Sequence, residues 1–152
     1  TDTKDGVSGY TVEISDYAND LDGSFLTFSD GSLLKTATSA ATLTGDSGDD
    51  QLIGSAFADT LIGAAGNDLL TGGAGNDIFS YDLAQNEGSD TIVDFSDAAD
   101  KINITGGTYA DLTIAAGADV GDTLVTLSSG TTITLKGVSA ANINENDFTF
   151  IV

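Results

Sequence analysis

GDSGDDQLI, GSAFADTLI, GAAGNDLLT and GGAGNDIFS follow one another without a gap over residues 45–80, four units of nine residues. Each unit opens with glycine (Gly45, Gly54, Gly63, Gly72) and carries aspartate in sixth place (Asp50, Asp59, Asp68, Asp77). Each places a large apolar residue in eighth (Leu52, Leu61, Leu70, Phe79). A period of this length is too short for a helix-loop unit or a propeller blade. It fits about six residues of turn and about three of strand, so that two units close one coil of a parallel β solenoid. The eighth position then points inward, stacking Leu52 on Leu70 in one sheet and Leu61 on Phe79 in the other.

The turns carry the chemistry. Glycine in first and fourth place (Gly45, Gly48, Gly54, Gly63, Gly66, Gly72, Gly75) lets the chain visit φ > 0 and bring its carbonyls inward. The sixth-place aspartate ends the turn with its carboxylate among those carbonyls. Turns one coil apart lie side by side, which pairs Asp50 with Asp68 on one edge and Asp59 with Asp77 on the other. Two carboxylates held together with nothing between them repel. Two carboxylates plus several carbonyls make an all-oxygen cage of about 6–8 ligands, which suits Ca²⁺ better than Mg²⁺. Two units depart from the glycine pattern: Asp46 stands in second place of the first, and Ser55 and Phe57 stand in second and fourth place of the second.

These residues resemble the RTX family, whose repeat reads GGxGxDxUx with U a large apolar residue; GGAGNDIFS at 72–80 matches it in full. The segment SDTIVDFSDAADKINI at 89–104 resembles the region that follows the repeats in many RTX proteins. The resemblance implies a Ca²⁺-binding parallel β-roll, exported by type I secretion and folding outside the cell.

Composition agrees. The 152 residues hold 24 acids against 4 lysines and no arginine, a formal charge of −20, and 21 of the acids are aspartate. Aspartate is the short acid favoured in turns and in oxygen cages. Nucleic acid and anionic membrane surfaces are disfavoured as partners, because both need clustered cationic side chains. No apolar run reaches the roughly 20 residues that span a bilayer. Without cysteine or histidine, neither disulfides nor nucleophilic triads are available. Paired carboxylates hydrolyse glycosides in other proteins, but the best-placed pairs here are committed to metal.

The flanks read as strands. Residues 1–44 form an N-terminal β cap, with YTVEI (10–14), SFLTF (24–28) and a Ser29-Asp30-Gly31 turn before Leu33 and Leu34. Residues 81–152 form a C-terminal β cap, with TIVDF (91–95), KINIT (101–105), DLTI (111–114) and a hairpin at 123–135 turning on Ser128-Ser129-Gly130. The expected whole is all-β: a short roll of two coils capped by antiparallel segments, in one folding unit. Asp90, Asp94 and Asp100 read either as a further Ca²⁺ site at the exit of the roll or as solvated acids. Asp20, Asp22 and Asp30, beside Gly23 and Gly31, read as a site where the chain enters the roll or as solvated turns. The tail DFTFIV (147–152) is similar to uncleaved type I secretion signals and equally forms a last strand.

The function expected from all this is a non-catalytic, Ca²⁺-dependent folding and secretion module at the C-terminus of a larger exported bacterial protein. Its partners are calcium ions and the type I secretion machinery, and it works outside the cell. Two alternatives stand beside it: an adhesion or S-layer-type domain that self-assembles or contacts a cell surface, and an accessory domain of a secreted hydrolase or polysaccharide-modifying enzyme.

Overall fold

A computed structural model of the chain describes residues 13–15, 25–28 and 30–152. Fourteen strands are present among them: β1 Glu13–Ser15, β2 Phe25–Thr27, β3 Leu33–Thr36, β4 Thr42–Thr44, β5 Gln51–Ile53, β6 Thr60–Ile62 and β7 Leu69–Thr71. Then come β8 Ile78–Asp82, β9 Ser89–Ile92, β10 Lys101–Thr105, β11 Leu112–Ala116, β12 Thr123–Leu127, β13 Thr132–Leu135 and β14 Phe148–Ile151. The expected strand at 10–14 falls only in part on described residues, as β1. Asp20, Asp22, Gly23, Ser24 and Ser29 lie outside them. Among the described residues no helix is long and apolar enough to cross a membrane.

The chain alternates between two sheets. One runs β1-β2-β3-β5-β7-β9-β13-β12-β11 and the other β14-β10-β8-β6-β4. Within the array the pairing is parallel and in the register of the repeat: Leu52 opposite Leu70, and Leu61 opposite Phe79. All four of these side chains are fully buried. Short strands alternate inward apolar and outward polar residues, since successive side chains point to opposite faces. The inward column joins the two sheets through one core that also takes in Tyr81, Ile92, Phe95, Ile102, Ile104, Val125, Ile133 and Phe148. Burying each such side chain contributes about 1.5–3 kcal/mol.

The parallel stack is longer than the nonapeptide array. The strand β3 pairs parallel with β5 ahead of it, and beyond it β9 and β10 join in parallel with β7 and β8. Two returning strands, β13 and β14, extend the sheets further by pairing parallel with β9 and β10. Antiparallel capping is confined to the far ends: β1-β2-β3 at one, β11-β12-β13 at the other. The roll continues past residue 80 because Ile92 and Ile102 extend the buried columns, although the coils lengthen. Equivalent aspartates lie 18 residues apart in the array but 22 and 23 apart after it. Both expected turns are present. Gly31 (φ +93°) and Gly130 (φ +99°) take the left-handed conformation that closes the β2–β3 and β12–β13 hairpins.

Candidate metal centre

The sixth-place aspartates form two ladders, one on each edge of the roll. On the first, the Leu33 N–H donates to Asp50 Oδ1 (2.6 Å), the Asp50 N–H to Asp68 Oδ1 (2.8 Å) and the Asp68 N–H to Asp90 Oδ1 (2.9 Å). On the second, Ala41, Asp59 and Asp77 donate in the same way to Asp59 (2.6 Å), Asp77 (2.9 Å) and Asp100 (2.9 Å). Each Oδ1 thus ties its coil to the one before. All six carboxylates are buried, at 3% exposure or less.

The second oxygen, Oδ2, separates two kinds of turn. In the turns 45–50 and 54–59 it is capped from within: the Asp46 N–H reaches Asp50 Oδ2 (2.6 Å), and the Ser55 N–H and hydroxyl reach Asp59 Oδ2 (2.6 and 2.9 Å). In the turns 63–68 and 72–77 no such bond forms, and Asp68 Oδ2 and Asp77 Oδ2 are buried without a hydrogen-bond partner. Backbone conformation accounts for the difference. The open turns place second and fourth residues at positive φ (Ala64 +70° and Gly66 +139°, Gly73 +93° and Gly75 +144°), whereas none of the second- or fourth-place residues of the capped turns does so.

This corrects the expectation for the first-place glycines and for Gly48, which do not adopt positive φ. They are required for room. A Cβ on Gly45 or Gly54 would run into the turn's own aspartate and the carbonyl of Gly63 or Gly72 in the next coil, and one on Gly63 or Gly72 would strike Asp68 or Asp77. At Gly66 a Cβ would strike the Gly48 carbonyl, and at Gly48 the Gly31 carbonyl. Carbonyl oxygens and carboxylates therefore crowd together wherever two turns stack.

Burial dominates the electrostatics. It pushes the Asp68 carboxyl up to about 6, with the charges of Asp50, Asp49 and Asp46 adding to the effect. It raises Asp77 as well, helped by Asp100, Asp59 and Asp94, and it raises Asp50. Carboxylates that are desolvated and surrounded by like charge are held at a cost that a cation removes. No three acidic side chains converge on one point among the described residues. Two carboxylates at most face each gap between turns, and the remaining donors are carbonyls. That all-oxygen set, with orphaned carboxylate oxygens inside it, fits Ca²⁺.

The candidates beyond the array take three different positions. Asp90 and Asp100 continue the ladders. Asp94 instead accepts the N–H groups of Gly72 and Gly73 (both 2.8 Å), bracing the last array turn, and Asp100 has its Oδ2 taken by the Ser96 N–H (2.8 Å). Only Asp90, of these three, leaves its Oδ2 buried and unpartnered. Asp30 is exposed and accepts from Ser32 in a tight turn.

Three features went unread in the sequence. Fifth-place side chains form an outer ladder, in which Asp49 accepts from Asn67 and Asn67 from Ser89. Glu87 and Tyr81 flank Asp90, and their charge and hydroxyl act on it. Finally, Gly88-Ser89-Asp90-Thr91-Ile92 keeps places four to eight of the repeat. The signal was present as GSDTI, but the longer turn before it hides the phase.

Residues 43–79 match a family model described as the RTX calcium-binding nonapeptide repeat, in four copies. Among solved structures the fold is similar to part of the extracellular lipase LipA from Serratia marcescens, with a TM-score of 0.55 and 19% identity over 91% of this chain. The chain spans only 30% of that lipase. It is also similar to the AlgE6R2 subunit of the Azotobacter vinelandii mannuronan C5-epimerase. There the TM-score is 0.56 and identity 25%, over 77% of this chain and 91% of the subunit. No curated protein matches the chain in sequence.

Proposed function

Because the chain carries an RTX calcium-binding repeat domain folded as a β-roll, we propose that it is a calcium-operated folding and export module of a larger secreted protein. The repeats bind calcium ions, and the repeat domain itself is a non-catalytic module. The observation that carries the reading is the pair of buried, unpartnered oxygens Asp68 Oδ2 and Asp77 Oδ2 in stacked turns. Those two aspartates hold the ions, Asp50 and Asp59 complete the carboxylate pairs, and carbonyls of the glycine-bearing turns supply the other donors. The cation supplies charge neutralisation between coils.

Where free Ca²⁺ is very low, a chain with formal charge −20 repels itself and its coils lack their ties. It stays unfolded, as passage through a secretion channel requires. In roughly millimolar Ca²⁺, a site with a dissociation constant of ~10–100 μM contributes about 1.4–2.7 kcal/mol. A few such sites match the whole stability of a small domain. The C-terminal strand β14 is compatible with a role as export signal, because such a signal is read before the chain folds.

The test is a far-UV circular dichroism titration from chelator into Ca²⁺, with Mg²⁺ in parallel. A cooperative gain of β signal with Ca²⁺ alone is expected. A Ca²⁺-free protein already folded and unresponsive would overturn the switch.

A second reading, an accessory domain of a secreted enzyme, is favoured by the likeness to the AlgE6R2 subunit, which comes from an epimerase. It is compatible with the first, since such a domain still folds on calcium.

A further inference from the structure

We propose that the outer face of the nine-stranded sheet, across β9, β13, β12 and β11, is a binding surface for an extended neutral polysaccharide. The proposal rests on the sheet itself and goes beyond the calcium switch, which leaves the outer faces of the strands without a task.

Register builds the surface. Thr113 on β11 stands opposite Thr126 on β12, Thr126 opposite Thr132 on β13, and Thr132 opposite Ser89 on β9. Their sequence neighbours Ile114, Val125, Ile133 and Asp90 are turned to the interior, so all four hydroxyl-bearing side chains point outward. Adjacent strands lie about 4.8 Å apart, which strings the four hydroxyls in a line across the sheet over roughly 14 Å. The Thr132 hydroxyl donates to that of Ser89 (2.9 Å), fixing both. Past Ser89 the line runs on into the outer ladder of the array turns, since the Ser89 N–H donates to Asn67 Oδ1 (3.1 Å).

A second row lies two residues along each strand, about 6.7 Å away. There Ala115 stands opposite Leu124, Leu124 opposite Thr134, Thr134 opposite Thr91, and Thr91 opposite Leu69. A line of hydroxyls thus runs beside a line that is largely aliphatic.

Charge selects the ligand. The chain carries 24 acids, yet neither row holds a charged side chain. On β13 the next outward residue is Lys136, and Asp119 and Asp122 neutralise it at 2.9 and 2.6 Å. An anionic polymer meets no free cation here and is repelled by a formal charge of −20. A lipid surface or an apolar protein face needs a continuous apolar patch, and threonines interrupt this one. A neutral glycan fits both rows. Its hydroxyls exchange hydrogen bonds with Thr and Ser, which donate and accept, and the C–H faces of its rings cover Ala115, Leu124 and Leu69. One sugar ring advances about as far along an extended chain as one strand does across the sheet.

The experiment is co-sedimentation of the full chain, in saturating Ca²⁺, with insoluble cellulose, xylan, mannan and β-1,3-glucan. NMR titration follows with the hexaose of whichever polymer retains it, and oligomannuronate serves as the charged probe. Retention on at least one neutral polymer is expected, with amide shifts centred on Ser89, Thr113, Thr126 and Thr132 and none from oligomannuronate. Thr126→Ala and Thr113→Ala are each expected to weaken binding about two- to tenfold, the loss of one net hydrogen bond, with the Ca²⁺-induced β signal unchanged. Ser80→Ala, on the outer face of the other sheet, is expected to bind as the parent does. Failure of all four polymers, equal binding of oligomannuronate, or parent-like binding by both threonine variants would overturn the surface. So would a concentration-dependent dimer that Thr126→Glu dissolves, since it gives the face to a second copy. If Thr126→Ala does not fold, Thr113→Ala on the edge strand decides. A chain that folds without Ca²⁺ overturns the switch and leaves this test intact.

Discussion

At the scale of the residue, what matters is which oxygen of each aspartate is free. Oδ1 is structural in all six ladder positions, accepting a backbone N–H from the preceding coil. Oδ2 is either capped by its own turn or open, and the second-place residue decides which. Asp46 and Ser55 turn an N–H onto it, whereas the positive φ of Ala64 and Gly73 turns the backbone away. A capped carboxylate has already exchanged water for a charge-assisted hydrogen bond, so a cation gains less there. Asp68→Asn is therefore expected to raise the Ca²⁺ midpoint of folding more than Asp50→Asn does. Loss of one site removes about 1.4–2.7 kcal/mol at near-millimolar Ca²⁺. Parallel circular dichroism titrations of the two variants measure the difference, and equal shifts would sink the distinction.

At the scale of the element, strands of three to five residues cannot stand alone, and their stability comes from the column they share. Leu70 is fully buried on β7, while its neighbour Leu69 is 38% exposed on the outer face of the same strand. Leu70→Ala is expected to cost about 2–5 kcal/mol by opening a cavity in a closely packed roll, and Leu69→Ala less than about 0.5 kcal/mol. Urea denaturation in saturating Ca²⁺ reads both. The alternation around positions 69 and 70 was legible in the sequence because the eighth place recurs. The parallel partners β13 and β14 were not, because nothing local in TTITL or DFTFI says which strand it will meet. A strand pattern states which face is apolar and leaves its neighbour unspecified.

At the scale of the whole molecule, acid and calcium compete. Asp68 sits near 6, and Asp90 and Glu87 near 7, all raised by burial above their ordinary values near 4. A carboxyl with a raised folded pKa binds more protons folded than unfolded, so the Ca²⁺-free fold loses stability as pH rises from about 4 to 7. Lowering the pH from 8 to 5 in chelator is thus expected to increase β signal. The same protons occupy the oxygens that the ion needs, so the Ca²⁺ midpoint should move to higher concentration as the pH falls. Titrations at two pH values check both directions; a midpoint independent of pH would show that Asp68 is not a ligand. Lys136 is set apart from this effect, since it pairs with the exposed Asp119 (2.9 Å) and the buried Asp122 (2.6 Å).

The sequence by itself determined the roll, the inward column and the sixth-place acids, because a short period in strict phase leaves a solenoid as the solution that buries its apolar positions. It also determined both hairpin turns, through glycines whose left-handed conformation few other residues adopt. Only the tertiary structure decided how far the roll extends, since Ile92, Ile102, Asp90 and Asp100 resume the pattern after turns of irregular length. It alone separated capped from open carboxylates, because that depends on where a second-place N–H points. And it alone brought the Tyr81 hydroxyl to the Asp90 carboxylate. Residues nine places apart in the chain meet there because one strand ends, one coil turns, and the core between them closes.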